Sequence, residues 1–403
     1  MRFAGIVAEY NPFHNGHAYQ IEQTRKAGAT HIAVVMSGHI VQRGDIPCFS
    51  KWTRAEAAIH GGADLVIELP AIYACSSAER FAYGAVSLLN AFGLPGILSF
   101  GSECGDLEAL NRCVAALDGI DNTPELRDYL DRGFSFPNAR ARAIADKFGE
   151  PTAAILNEPN NILAAEYLRS LQSLSSHLIP FTVRREGAMH DSRQTAGRFA
   201  SASRLREVCQ LASVRQIEPF VPPDAYRLYR QDYALGRAGA SLYQAAAVVL
   251  YHLRSMSAEQ FAALPDVGEG LENKLVKASR QACTLDELLL SVKSKRYPLS
   301  RVKRVIAYAM LGITREIVSL PPAYLRVLAF NERGQEILRQ SKKTAILPIY
   351  HSFAKLERDF PLYTEPESLA TELFRLSLPR NCPALSEYRD QRPNFIRRDS
   401  SVR

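Results

Sequence analysis

The chain has 403 residues, 47% of them hydrophobic and 23% charged. These proportions exclude a disordered chain, and at roughly 100–200 residues per domain the length predicts two or three domains. Lys and Arg outnumber Asp and Glu by 49 to 42, a formal charge of +7, which suits a nucleic-acid partner without requiring one. The longest apolar stretch, around residues 245–250, is broken by Tyr251 and His252, far short of the ~20 residues of a membrane span.

The seven cysteines are scattered and lack a C-x-x-C pair, which predicts free thiols in a reducing compartment rather than a disulfide framework or zinc site. The first apolar run meets turn residues at Asn11-Pro12, too early for a signal-peptide core, so a cytoplasmic protein is expected. In chain order, apolar runs at 3–8, 31–36, 64–69 and 97–100 predict buried strands, with helical spacing between them at 18–27, 53–61 and 77–91. Strands alternating with helices predict βαβ units and a parallel sheet covered on both faces, with ligands bound beyond the carboxyl ends of the strands. Residues 118–137 are polar and predict a helical insertion or loops. The chain divides near Pro219–Pro223. Beyond it, helical spacing at 234–256, 284–293, 300–310 and 322–340 predicts a second, mostly α-helical domain. Arg392, Arg397, Arg398 and Arg403, against Asp399 alone, predict a basic tail.

The most informative residues are His14-Asn15-Gly16-His17, where the first strand gives way to the first helix. Backbone N–H groups and the helix dipole favour an anion there. Two histidines three apart share one side of the first turn, and Gly16 leaves room for a flat base against the backbone. This suits nucleotidyl transfer, with His14 and His17 as catalytic donors to a triphosphate attacked in line at its α-phosphorus. A metal pair is disfavoured because no third ligand lies nearby at suitable spacing. Ser201-Ala-Ser-Arg204-Leu-Arg206 reads as a helix start able to hold phosphate, making Ser201, Ser203 and Arg206 candidates. Lys51-Trp-Thr-Arg54 is either a substrate-facing cluster, with Lys51 on phosphate, or a helix anchored by the only Trp. Lys293, Lys295, Arg296, Arg301, Lys303 and Arg304, and separately Lys342 and Lys343, are either an RNA-backbone surface or solvated faces. Cys104 has no obvious histidine partner and reads as structural.

Gly5-Ile-Val-Ala-Glu-Tyr-Asn-Pro-Phe-His-Asn-Gly-His17 resembles the signature of the bacterial tRNA(Met) cytidine acetate ligase family, within the HxGH nucleotidyltransferase superfamily. Met36-Ser-Gly38 with Val41-Gln-Arg-Gly44, Lys51-Trp-Thr-Arg54, Asp64-Leu-Val-Ile-Glu-Leu-Pro70 and Phe100-Gly-Ser-Glu103 are similar to family segments in the same order. So are Asn161-Ile-Leu163 with Glu166-Tyr167, Arg185-Glu-Gly187 with His190-Asp191, Ala200-Ser-Ala-Ser203, Ser294-Lys-Arg-Tyr297 and Leu325-Arg-Val-Leu-Ala-Phe330. The sequence departs from the pattern at His39, where Asn is usual, and at Ser50, where Asp is usual.

The resemblance implies an α/β fold: an N-terminal Rossmann-like HxGH nucleotidyltransferase domain with a parallel sheet (1–218, ATP-binding and catalytic), and a C-terminal mostly α-helical domain (219–403, tRNA-binding). It implies an ATP-dependent ligase that converts acetate to acetyl-adenylate and passes the acetyl group to N4 of the wobble cytidine of elongator tRNA(Met). By matching positions, the ATP site would comprise Val7, Ala8, Glu9, Tyr10, Asn11, Pro12, Phe13, His14, Asn15, Gly16, His17, Ala18, Tyr19 and Gln20, then Gly101, Asn161 and Arg185, with Arg184 exchangeable for Arg185 by a one-residue slip. The tRNA-binding candidates are Lys295, Arg296, Arg301, Arg304, Lys342 and Lys343. Mg²⁺ is expected to travel with ATP, held by phosphates and water with at most one or two carboxylates and no dedicated protein site. Two alternatives stay open: an adenylyltransferase making a small nucleotide or pantetheine cofactor, and a non-catalytic RNA-binding protein on the same fold.

Overall fold

In the computed structural model, residues 1–185, 200–210, 214–380, 386–388 and 393–397 are described. Eight strands form one sheet: β1 (Phe3–Ala8), β2 (His31–Ser37), β3 (Leu65–Leu69), β4 (Gly96–Ser102), β5 (Leu178–Arg184), β6 (Leu325–Phe330), β7 (Ile349–Tyr350) and β8 (Asn394–Phe395). The order is β5-β4-β1-β2-β3-β6-β7, with β8 also on β6. Strands β1 to β5 are mutually parallel, whereas β6 joins β3 antiparallel.

The apolar runs form central strands because both faces are covered. Ala4, Ile6, Ile32, Val34 and Val66 pack into one core, while Phe3, Ala33, Val35, Leu65 and Ile67 pack into the other. The chain runs from β1 to β2 on one side and later returns to place β4 on the other side of β1. That reversal opens a crevice beyond the carboxyl ends of β1 and β4, where open α/β sheets bind ligands. Helices α1 (Asn15–Lys26) and α2 (Lys51–His60) follow β1 and β2, the helix Ala78–Asn90 leads into β4, and the helix Pro159–Ser173 packs on β4 and on Ala78–Asn90. The polar stretch 118–137 spans the end of one helix, the helix Pro124–Asp131 and the start of another.

Three readings differ from the sequence expectation, the first being 234–256, where one helix ends at Ala234 and the next starts at Ala246. The helical reading of 322–340 is corrected: its first part is strand β6, and only Glu332–Thr344 is helix. Leu325-Arg-Val-Leu-Ala-Phe330 is buried along nearly its whole length, so it lacks the alternation of a half-exposed strand. Strand β5 has no counterpart among the expected strands, because it contains Pro180 and lies at the sheet edge, where a missing N–H is tolerated. Through β6, β7 and β8 the chain after residue 219 re-enters the sheet, so the second half is not purely helical. No helix among the described residues is long and apolar enough to cross a membrane.

Candidate active site

The first helix starts on the histidine motif itself. His14 is its N-cap, in extended conformation, and His17 is its third residue. The His14 Nδ1 accepts the Gly16 N–H at 3.0 Å, and the His17 Nδ1 accepts the His14 N–H at 3.2 Å. This is a capping box built from two imidazoles, and the rings stack with centroids 3.7 Å apart. It fixes the tautomer: with each Nδ1 accepting, a neutral ring carries its proton on Nε2 and can donate there. Burial, then Arg185 and Arg206, pulls the His14 pKa down to about 3. Burial, then His14 and Arg185, holds His17 well below the usual histidine range. The pair is therefore two neutral N–H donors at a helix N-terminus, suited to an oxygen that gains charge.

Gly16 lines the cavity and also answers a second demand of the cap. A Cβ there would sit 2.9 Å from the His14 ring, so the glycine makes space for that imidazole.

The histidines open onto a cavity of about 360 Å³. Of the expected ATP residues, Val7, Ala8, Glu9, Tyr10, Asn11, His14, Gly16, His17, Tyr19, Gln20, Gly101 and Arg185 line it. Pro12, Phe13, Asn15, Ala18 and Asn161 do not. The Phe13 carbonyl accepts the Tyr229 hydroxyl at 3.1 Å, and the Asn15 amide donates to the Pro219 carbonyl at 3.1 Å. Asn161 is 2% exposed; its Oδ1 accepts the N–H groups of Glu103 and Cys104, and its Nδ2 donates to the Ile155 carbonyl. It sets the shape of the β4 loop from behind the cavity.

Ser201, Ser203, Arg184 and Arg206 also line the cavity, so both neighbouring arginines border it. The helix Ala202–Gln210 carries Arg206, whose guanidinium donates to the Asn11 carbonyl at 3.4 Å and to the Ser203 hydroxyl at 2.8 Å. Both acceptors are uncharged, which leaves the positive charge available to an anion. Residues 186–199, including His190-Asp191, lie outside the described part. Sequence reasoning missed Gln42, Arg43, Asp45, Phe81 and Phe100 as lining residues. A glycine-containing turn after β2, Val41-Gln-Arg-Gly44, was the available signal for the first three.

Lys51 is corrected. It is fully buried, its ammonium lies 2.6 Å from Glu68 and also bonds Glu387, and it does not reach the cavity. Arg326, directly across the β3–β6 pair from Glu68, completes the cluster at 2.6 Å from Glu68 and 2.5 Å from Glu387. Burial acts against the Glu387 charge, but Arg326 and Lys51 override it and hold that carboxyl well below the usual range. His39 belongs here too: its Nε2 accepts the Lys51 N–H at 3.1 Å and its Nδ1 meets Thr371 at 2.9 Å. Ser50 caps α2 through Thr53, so neither departure from the family pattern leaves a gap. Arg54, also fully buried, bonds the carbonyls of Phe49, Glu9, Ser37 and Gly38, tying the ends of β1 and β2 together.

The RNA candidates divide. Lys295, Arg296, Lys342 and Lys343 are exposed. Arg304 is corrected: it pairs with Asp266 at 2.9 Å in a half-buried setting. Arg301 donates to the Asp266 carbonyl at 2.8 Å and stacks its guanidinium on Tyr297. These two brace the loop at Asp266. Among the described residues, no three His, Cys, Asp or Glu side chains are grouped to hold a metal ion.

The profile of the HIGH Nucleotidyl Transferase family matches residues 1–388, and the sheet order and the histidine-capped first helix define the chain as such a nucleotidyltransferase. The tRNA(Met) cytidine acetate ligase of Alkaliphilus metalliredigens is 36% identical over 401 residues, spanning 94% of this chain and 92% of its own. That of Clostridium perfringens (strain ATCC 13124) is 35% identical over 376 residues, spanning 89% and 92%. The chain belongs to the tRNA(Met) cytidine acetate ligase family. Among solved structures, Thermotoga maritima TmcAL bound with alpha-thio ATP superposes with a TM-score of 0.91 at 30% identity, covering 98% of this chain and 100% of that one.

Proposed function

We propose that this chain binds ATP in the cavity, forms acetyl-adenylate from acetate and transfers the acetyl group to N4 of the wobble cytidine of elongator tRNA(Met). Its relatives bear the name of that ligase, and its structural neighbour holds an ATP analogue. The observation that carries the reading is the reciprocal cap of His14 and His17, which aims two neutral donors at one anion site. A carboxylate is already a nucleophile, so adenylation needs alignment and charge stabilisation rather than an activated Ser or Cys. On this reading His14 and His17 hold the triphosphate, and Arg185, Arg206, Ser201 and Ser203 neutralise or bond its oxygens. Mg²⁺ accompanies the triphosphate, bound chiefly by phosphate oxygens and water. The exposed cations Lys295, Arg296, Lys342 and Lys343 contact the RNA backbone, which favours an RNA acceptor over a small cofactor precursor.

The test is incubation of the full chain with ATP, isotopically labelled acetate and tRNA, followed by mass spectrometry of the nucleosides. Labelled N4-acetylcytidine is the expected product. ATP consumption with a pantetheine or nucleotide precursor, and none with acetate, would replace this reading by the cofactor-forming one.

A further inference from the structure

Adenylation releases pyrophosphate and needs no base, but the second half-reaction does. The cytidine amine is a weak nucleophile whose lone pair is delocalised into the ring. Its nitrogen bonds to the acetyl carbon, the bond from that carbon to the phosphate oxygen breaks, and AMP departs. One N–H proton must then pass to an acceptor.

Among the described residues, few groups lining the cavity can accept it. The two histidines already receive backbone N–H groups on Nδ1, so their Nε2 atoms carry protons and donate. A guanidinium offers donors and no acceptor atom, and the Tyr10 and Tyr167 hydroxyls are pushed upward by burial, Tyr167 further by the charge of Glu9. Among the described residues, two carboxylates line the cavity, Glu9 and Asp45. Both oxygens of Asp45 are held by Lys303, at 3.0 and 3.1 Å.

Glu9 is different. It follows β1, and its Oε1 accepts the Gln42 N–H at 2.9 Å. Arg54 holds its backbone carbonyl at 2.5 Å. Both ties are to the protein frame, and a carboxylate with one oxygen so engaged keeps acceptor capacity on the other. Its charge is felt by Tyr167, whose helix packs on the face of the sheet that receives Val7; α1, with the histidines, packs on the face that receives Ala8. Glu9 thus lines the same cavity as the histidines, with one carboxylate oxygen on the Gln42 N–H.

We infer that Glu9 is the general base of acetyl transfer, taking the N4 proton as the amine attacks the acetyl carbon of the adenylate. The inference rests on the acetate-activating function proposed above. It is tested with Glu9→Gln and two acceptors. Hydroxylamine, a small and strongly nucleophilic amine, traps acetyl-adenylate as acetohydroxamate without needing an enzyme base; tRNA cytidine needs one. In the variant, cytidine acetylation should fall about 10²–10⁴-fold further than hydroxamate formation does. Glu9→Asp should recover part of the transfer. Equal loss with both acceptors would overturn the inference and assign Glu9 to adenylate formation or to the fold. Undiminished acetylation would overturn it in favour of water. Absence of acetohydroxamate from the parent enzyme would instead strike the acetate-activating function itself.

Discussion

At Lys51 and Arg326, each buried cation meets two carboxylates; at Arg206, the guanidinium meets a carbonyl and a hydroxyl. Both regions belong to the same sheet-based half of the molecule, and Lys51 and Arg206 both have the look of phosphate-binding charge in the sequence. The first region has matched its charges internally, two cations against Glu68 and Glu387, and shows no opening to the cavity. It locks β3 to β6 and fastens Glu387 from the end of the chain. The second leaves positive charge facing a cavity beside two neutral histidines. The nearest partner, not the residue type, separates a fastening from a binding site.

Substitutions should separate the two regions. Lys51→Met leaves Glu68 and Glu387 short of a cation in a buried place, which should cost about 3–5 kcal/mol of stability in urea unfolding. An effect below about 1 kcal/mol would mean that water reaches the cluster. His14→Ala or His17→Ala should cut acetate-dependent ATP–pyrophosphate exchange by roughly 10²–10³-fold. Its stability cost should be only the ~1 kcal/mol of a lost helix cap. Arg206→Gln should weaken ATP binding by about 1.5–3 kcal/mol in calorimetry, the worth of a hydrogen bond to a charged group. Lys295→Glu with Arg296→Glu should weaken tRNA binding and reduce its salt slope by about one for each phosphate no longer neutralised. Arg304→Glu, by contrast, should lower stability, because it sets a second carboxylate against Asp266.

The smallest expected effect is on the pH dependence of exchange. His14 titrates near 3 in the folded chain against an ordinary 6.5, so it remains neutral across the working range. Exchange should therefore show no histidine inflection between about pH 5.5 and 8. The same depression has a sign for stability. The folded state resists protonation that the unfolded state accepts, so the contribution of His14 is full above 6.5 and is lost as pH falls toward 3. Removing His14 should flatten the acid limb of the stability curve by up to one proton, about 1.4 kcal/mol per pH unit. An unchanged limb would mean that His14 is charged in the native protein.

The histidine site was legible in the sequence because its geometry is local: a strand end, a cap and one helical turn within Glu9 to His17. The parallel sheet was legible because its central strands are apolar on both faces. Lys51 was not, because its partners lie 17 and 336 positions away and pairing over such distances leaves no local pattern. Strand β6 was hidden for a related reason: Arg326 interrupts its apolar run, and only its partners Glu68, across the sheet, and Glu387 explain a charge there. Arg184 and Arg185 are adjacent in sequence, and only the folded chain shows that both line the cavity.

The most direct test of the account is acetate-dependent ATP–pyrophosphate exchange by the parent chain and by His17→Ala, measured side by side with their unfolding curves. The parent should exchange briskly, and the variant, still folded, should lose roughly 10²–10³-fold. Parent-level exchange by His17→Ala, or none by the parent with acetate, would contradict it.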